Sequence, residues 1–170
     1  NIQSSNLRYL FGKSREDVPS IKRNKNPYKY IISSNFLVKK VIFDKINKNI
    51  NINGYGMDYF FGALLKENLV SINHIDNEVT HHGLDDNSKF LTKTKEALKN
   101  LYYLNNNKLI NKNDITILKY YRILNFFGLR KITSMAINIF SDTVESNLKG
   151  PNPNLFIFDL YRLSYLCSLK

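Results

Sequence analysis

The spacing of apolar residues changes near residue 112 of this 170-residue chain. Before that point, segments with alternating apolar residues take turns with segments of helical spacing, a succession that is typical of α/β proteins. After it, apolar residues recur only at helical spacing. We therefore predict an α/β region over residues 1–112, followed by an all-helical extension over residues 113–170.

The first region is predicted to alternate strands and helices from residue 28 onward. The first 25 residues show no sustained periodicity and are predicted to form a loop. An Asn- and Gly-rich loop over 47–56 precedes a helix that Asp58 or a neighbour is predicted to cap, because a short oxygen side chain accepts free backbone N–H groups. The predicted strands cover 28–36 and 70–79, and the predicted helices cover 37–46, 58–68 and 90–101.

The extension over 113–170 is predicted to form three helices. Two placements of it are open: it closes over the first region, or it lies on an anionic bilayer. We favour closure, because Asp142 and Glu145 interrupt any continuous basic face. The middle helix has a periodic apolar stripe of the width that a core-facing helix needs. It is predicted to bury Ile132, Met135, Ile139 and Val144.

Charge and cysteine content exclude several classes of protein. The single cysteine, Cys167, excludes an intramolecular disulfide framework and a cysteine-built zinc site. A net charge of +11 favours anionic partners, which include nucleotide diphosphates, anionic lipids and nucleic acids. No zinc finger, RNP motif or basic-region heptad is present, so no specific nucleic-acid partner is predicted. No apolar run is long enough to cross a bilayer and no secretory signal is present, which predicts a cytoplasmic location or the inner face of the cytoplasmic membrane.

Three short polar segments could carry chemistry, and each lies at the end of a predicted element. They are Ser33–Phe36, Gly54–Asp58 and Asn77–Gly83. Loops of this kind commonly bear functional residues. Asp58 is the best candidate for a general base, and the alternative is that it only caps its helix. His81 and His82 would point to opposite faces of a strand, so one could ligate a metal while the other does not.

The combination of these motifs resembles the C-terminal half of bacterial family 2 glycosyltransferases. In that family an Asn-Phe segment leads into a helix, a Gly-Tyr-Gly loop meets an acidic pair, and a His follows. The resemblance covers residues 27–105, and the segment from Pro153 to Leu166 is similar to the C-terminal extension of some members. The matching segments are Asn35–Lys40, Phe43–Ile46, Gly54–Gly62 and Ile75–His81.

The resemblance implies a GT-A-like α/β fold and, as is typical of the family, an inverting transfer of sugar, as in polysaccharide biosynthesis. The donor would be a nucleotide-sugar, the acceptor a glycan or a lipid-linked glycan, and the cofactor a divalent metal, Mn or Mg. The resemblance also implies roles for individual residues. These are Asp58 as the general base, His81 at the metal, and Asn35, Gly54, Tyr55 and Gly56 at the acceptor.

The chain departs from the family pattern in two ways. The family has a Glu-Asp pair in a loop one residue longer, whereas this chain has Asp58 alone. Counting back from Phe61 and Gly62 aligns Asp58 with the family's Asp, and counting forward from Gly54 aligns it with the Glu. We take the first alignment, because the downstream apolar face sets the helix register. No Asp-x-Asp motif occurs in the chain, so the resemblance predicts that the donor-binding half is missing and that the chain alone is inactive.

Two other classes of function remain open from the sequence. The chain could be a catalytically inactive carbohydrate-binding fragment that has lost turnover with its shortened acidic loop. It could also be a basic scaffold associated with a membrane or with nucleic acid, given its charge of +11.

Overall fold

The protein is helical in the computed structural model, which describes residues 5–48, 54–80, 82–110 and 115–170. Helices account for 63% of the residues, and no described residue belongs to a strand. The predicted α/β, GT-A-like architecture is therefore wrong. The helices are α1 (Leu7–Arg15), α2 (Ser20–Arg23), α3 (Lys40–Asn47), α4 (Asp58–Glu67), α5 (Asn87–Asn106), α6 (Thr116–Phe126), α7 (Arg130–Ile139), α8 (Ser141–Lys149) and α9 (Leu155–Ser168), with a short 3-10 helix at Pro27–Lys29.

Neither predicted strand forms. The first begins within the 3-10 helix at Pro27–Lys29, and in the second, backbone groups bind side chains instead of a neighbouring strand. The Asn24 side chain donates to the carbonyl of His74 and accepts from its N–H, both at 2.8 Å. The Tyr28 hydroxyl donates to the carbonyl of Val70 at 3.0 Å, and Arg23 donates to the carbonyl of Ile75. Backbone N–H and C=O groups need hydrogen-bond partners. In residues 70–75, polar side chains supply some of these partners in place of a neighbouring strand.

The first region contains its three predicted helices, as α3, α4 and α5, together with two that were not predicted. The first 25 residues were predicted as a loop, but their described part, from residue 5 onward, contains α1 and α2. Asn6 caps α1 by accepting from the N–H of Tyr9 at 2.8 Å, and the N–H of Leu7 donates to Asn87 at the start of α5. Leu7 is completely buried. A single buried residue and a cap are too weak a periodic signal to identify from sequence.

The apolar core consists of two clusters, and α5 and α9 contribute to both. Each cluster takes residues from both sides of the predicted boundary at residue 112, which itself lies outside the described residues. The first cluster is built from Ile46, Phe60, Phe61, Leu64, Leu65, Leu98, Leu101, Leu104, Ile110, Leu118, Tyr121, Leu166 and Cys167. The second is built from Leu7, Phe90, Leu91, Val144, Leu148, Phe158 and Tyr161.

The C-terminal region has four helices in its described part, where three were predicted. The apolar stripe predicted as one helix breaks at Phe140 into α7 and α8. Val144 is buried as predicted, but the prediction is wrong for three residues of α7, Ile132, Met135 and Ile139, which are 63%, 63% and 75% exposed. The other side of α7, with Thr133, Ser134 and Ile137, is partly buried, and the helix packs along α9.

Arg130, the first residue of α7, fixes this helix to the end of α9. It donates to the carbonyl oxygens of Cys167 and Leu169, and its guanidinium lies 4.8 Å from the ring centre of Tyr121 on α6. These contacts satisfy carbonyls that have no partner within α9 itself. In the described parts of the chain, no helix is long and apolar enough to cross a membrane.

Candidate functional site around Asp58

Asp58 is the first residue of α4, and its carboxylate faces another segment of the chain. Met57 occupies the N-cap position and makes no side-chain capping bond. The Asp58 carboxylate instead accepts hydrogen bonds from the hydroxyl and the backbone N–H of Ser33. The prediction that Asp58 or a neighbour caps the helix through its side chain is therefore wrong. The carboxylate is directed by a partner from the first polar segment.

The environment of Asp58 favours proton uptake. Partial burial raises the pKa of this carboxyl above its usual value, and the two hydrogen bonds from Ser33 oppose that rise. Burial raises the pKa because removing a carboxylate from water disfavours its charged form. The pKa is raised overall, so the effect of burial is larger than that of the hydrogen bonds. A carboxylate with a raised pKa is a better proton acceptor near neutral pH than a fully solvated one.

Asn35 connects the first polar segment to the third. Its side-chain amide donates to the carbonyl oxygen of Asn77 at 2.9 Å, and both residues are exposed. With the bonds between Ser33 and Asp58, this contact brings together all three polar segments that the sequence singled out. They converge although no strand orders them in the described parts of the chain.

The Gly-Tyr-Gly loop, Gly54 to Gly56, is held against α5 at one side of this site. The N–H of Tyr55 donates to the Glu96 carboxylate at 3.0 Å, and the amide of Asn100 donates to the carbonyl of Tyr55 at 3.0 Å. Two side chains of α5 thus hold the backbone of Tyr55. The Tyr55 ring is 39% exposed, and the Lys93 ammonium lies 5.2 Å from its ring centre, so only the part of the ring away from Lys93 is open to a ligand.

Gly56 is the position where this loop requires a glycine. Its φ angle is +84°, a left-handed conformation that side chains disfavour. A Cβ at this position would lie 2.7 Å from the Cβ of Ala97 on α5. The loop therefore approaches α5 too closely for any side chain.

Apolar packing holds the Ser33 segment against α4. The Phe36 ring stacks on Phe61 with ring centres 5.6 Å apart. At Gly62 an added Cβ would meet the carbonyl oxygen of Tyr28 at 2.4 Å, so the backbones touch there. These contacts maintain the position of Ser33 relative to Asp58.

Sequence analysis did not assign roles to Ser33, Glu96 or Asn100. Ser33 lies in a segment that the sequence singled out, but its partner, Asp58, is distant in the chain. Glu96 and Asn100 are one helical turn apart and so share a face of α5, which is the one signal that could have linked them to a common target.

Two of the three histidines, His74 and His82, lie among the described residues. His81, the predicted metal ligand, lies outside the described residues, and His82 is exposed. His74 is structural, with its Nε2 at 2.8 Å from the carbonyl oxygen of Pro27. Among the residues that the structure describes, no three His, Cys, Asp or Glu side chains lie close enough together to hold a metal ion.

Comparison of the chain with protein-family models, with curated proteins and with solved structures found no match.

Proposed function

We propose that this chain acts in glycosyl transfer, where it binds the acceptor sugar and activates its hydroxyl group through Asp58. The observation that supports this proposal is the convergence of the three polar segments, through the bonds of Ser33 with Asp58 and of Asn35 with Asn77. The proposal concerns activity and does not depend on an α/β fold.

In the proposed reaction, Asp58 serves as the general base. The acceptor hydroxyl donates a hydrogen bond to the carboxylate, and its oxygen attacks the anomeric carbon of a nucleotide-sugar. As the new C–O bond forms, the proton passes to Asp58 and the bond to the nucleoside diphosphate breaks. Attack opposite the leaving group inverts the anomeric centre. The two bonds from Ser33 fix the carboxylate so that one direction of approach is favoured.

The acceptor sugar would lie between the Gly-Tyr-Gly loop and the Ser33 segment. The accessible ring of Tyr55 can stack on a sugar face, because pyranose C–H groups form an apolar surface that matches an aromatic ring. The amide oxygen of Asn35 can accept a hydrogen bond from a sugar hydroxyl, while its amide nitrogen holds Asn77. Gly54 and Gly56 shape the loop without adding side chains.

No step of the proposed reaction is assigned to a metal. The residues described around Asp58 do not supply a metal-binding set, and the residue predicted to do so, His81, is not among them. The roles of Mn or Mg and of His81 stay predictions that follow from the family resemblance.

The test is the substitution Asp58→Asn in the full-length natural protein, with release of nucleoside diphosphate as the readout. Asn keeps the size and loses the base, so we expect turnover to fall by about 10²–10⁴-fold. The matched control is Asp44→Asn on α3, an exposed carboxylate, for which turnover should not change.

Thermal unfolding of the same variants separates catalysis from stability. The pKa of Asp58 is raised by burial, so its ionised form is unfavourable in the folded state. The folded state therefore loses stability as pH rises through that pKa, and Asp58→Asn should not lower the unfolding midpoint at neutral pH. Retained turnover in Asp58→Asn would refute the base assignment. Binding of acceptor without any transfer by the unmodified protein would favour the carbohydrate-binding alternative.

A further inference from the structure

Helix α7 places its large apolar side chains in water. Ile132, Met135 and Ile139 recur at helical spacing on one side and are 63–75% exposed. The opposite side, which packs against the protein, includes Thr133, Ser134 and Ile137, all only partly exposed. A helix at the surface of a globular domain normally buries its apolar stripe, whereas α7 directs only Ile137 towards the core and exposes its other large apolar side chains.

Helix α6 and the turn that follows it extend this apolar surface. α6 buries Leu118 and Tyr121 against the core and exposes its other side. The adjacent rings of Phe126 and Phe127, with centres 5.2 Å apart, are both largely exposed at the turn. We define the α6–α7 face as the exposed apolar residues of this region. They are Tyr120, Ile123, Phe126, Phe127, Ile132, Met135, Ile139 and Phe140.

The α6–α7 face lies in a segment that carries positive charge only. Residues 115–141 contain four basic side chains and no acidic one, and all 14 acidic residues of the chain lie elsewhere. Lys119 and Lys131 are exposed beside the apolar residues. The basic residues of this segment are Lys119, Arg122, Arg130 and Lys131.

We propose that the α6–α7 face docks on an anionic lipid bilayer. An exposed apolar surface marks an interaction site, and the exposed Lys119 and Lys131 beside it favour a negatively charged partner. The exposed carboxylate nearest to the face along the chain is Asp142, in the first turn of α8. A helix with an apolar face and basic flanks lies in the interfacial plane, with its apolar side chains among the lipid headgroups and upper acyl chains. Helices of 11 and 10 residues have the length for such a position.

Two other occupants fit these observations less well. A second copy of the chain, related by two-fold symmetry, would bring the exposed Lys119 and Lys131 towards the same lysines of its partner. A nucleic acid would satisfy the charges but leave the aliphatic side chains of α7 without a partner, because such interfaces are mostly polar. An anionic bilayer matches both the apolar surface and the charge.

The first experiment measures sedimentation of the 170-residue chain with vesicles. One set is phosphatidylcholine with about 30% phosphatidylglycerol, and the other is phosphatidylcholine alone. We expect binding to the anionic set, with weaker binding at about 0.5 M salt because salt screens the lysines. No binding to anionic vesicles, or equal binding to both sets, would overturn the proposal.

Matched variants test the face itself. The triple change Ile132→Ser, Met135→Ser and Ile139→Ser should weaken binding at least ~10-fold, since it removes most of the aliphatic surface. The control triple, Ile21→Ser, Val41→Ser and Phe156→Ser, alters similarly exposed residues elsewhere and should bind as the unmodified chain does. Equal binding by the two triples contradicts the proposal. Circular dichroism checks that both retain their helices.

A separate pair of variants tests the contribution of positive charge to vesicle binding. Lys119→Gln with Lys131→Gln should weaken binding by about fivefold per lysine at low salt, whereas Lys22→Gln with Lys25→Gln should have little effect. If both pairs weaken binding equally, the charge argument fails.

A fluorescence reporter can be placed without background, because the chain contains no tryptophan. In Met135→Trp the emission should shift to shorter wavelength on addition of anionic vesicles, and in Phe156→Trp it should not. Light scattering that detects a dimer, abolished by the serine triple on α7 and without vesicle binding, would assign the face to a second copy and overturn the proposal. None of these readouts measures sugar transfer, so the outcome is independent of the proposed function.

Discussion

At the residue scale, the pairing of Ser33 with Asp58 sets both the direction and the acidity of the proposed base. Ser33 contributes a hydroxyl and a backbone N–H, and both bonds favour the ionised carboxylate. Burial acts in the opposite sense and raises the pKa of Asp58. The balance keeps the carboxylate able to accept a proton while maintaining its orientation.

Ser33→Ala tests this balance. The change removes the hydroxyl bond and leaves the backbone bond, so the pKa of Asp58 should rise further. Activity requires the ionised base, and it declines as pH falls through that pKa. We therefore expect the acidic limb of the pH–rate profile of the full-length protein to move to higher pH, with a smaller loss of activity at high pH. An acidic limb that moves to lower pH, or does not move, would contradict the role of Ser33.

The sequence located Asp58 but not its partner, for a physical reason. A carboxylate at the start of an apolar helix is visible as a local pattern, whereas its hydrogen bonds depend on how Phe36 and Gly62 pack two distant segments together. The same limit applies to Glu96 and Asn100. Their spacing and the Gly-Tyr-Gly loop were both visible in the sequence, but the contact between them was not.

At the element scale, the Gly-Tyr-Gly loop and α5 behave as one unit. The contacts of Glu96 and Asn100 with Tyr55, and the absence of a side chain at Gly56, bring the loop against the helix. The orientation of the Tyr55 ring therefore depends on α5, a helix outside the three polar segments.

Gly56→Ala should destabilise the protein more than the matched change Gly83→Ala. Both glycines have left-handed φ angles, +84° and +70°, so both variants carry backbone strain. Only at Gly56 would the new Cβ also collide with Ala97, since nothing lies within 4 Å of the corresponding position at Gly83. We expect a difference of about 1–3 kcal/mol in the free energy of unfolding, measured with urea. An equal loss in the free energy of unfolding for the two variants would show that the loop can move away from α5 at no cost in stability.

Two predictions at this scale were wrong because the spacing of apolar residues does not show which part of the chain packs against them. Alternation over residues 70–79 predicted a strand, but the segment is irregular, and side chains such as Asn24 and Tyr28 bind its backbone in place of a neighbouring strand. The apolar period of α7 was identified correctly, but the stripe faces outward. Burial depends on what lies next to a helix, and that information is absent from local spacing.

At the scale of the whole molecule, α5 and α9 connect the two apolar clusters. Phe90 and Phe158 belong to the second cluster, while Leu98 on α5 and Leu166 on α9 belong to the first. Neither cluster can lose these helices without exposing part of the other. The two clusters should therefore unfold together.

Leu118→Ala and Leu148→Ala test this coupling, one in each cluster. Both leucines are completely buried, so each change should cost about 2–5 kcal/mol. We expect a single thermal transition in each variant, at a lower midpoint, by circular dichroism and calorimetry alike. Ile132→Ala, an exposed control, should change the free energy of unfolding by less than about 0.5 kcal/mol. Two separate transitions in either leucine variant would show that the clusters are independent.

The rate at which a thiol reagent labels Cys167 can report local opening of this protein. Its thiol is buried in the first cluster, its carbonyl accepts from Arg130, and burial raises the pKa of the thiol. A thiol reagent can therefore react only during moments when the end of α9 opens. Because α7 packs along that helix, the labelling rate would record how often the part of the molecule that holds the α6–α7 face opens, with no probe added to the chain.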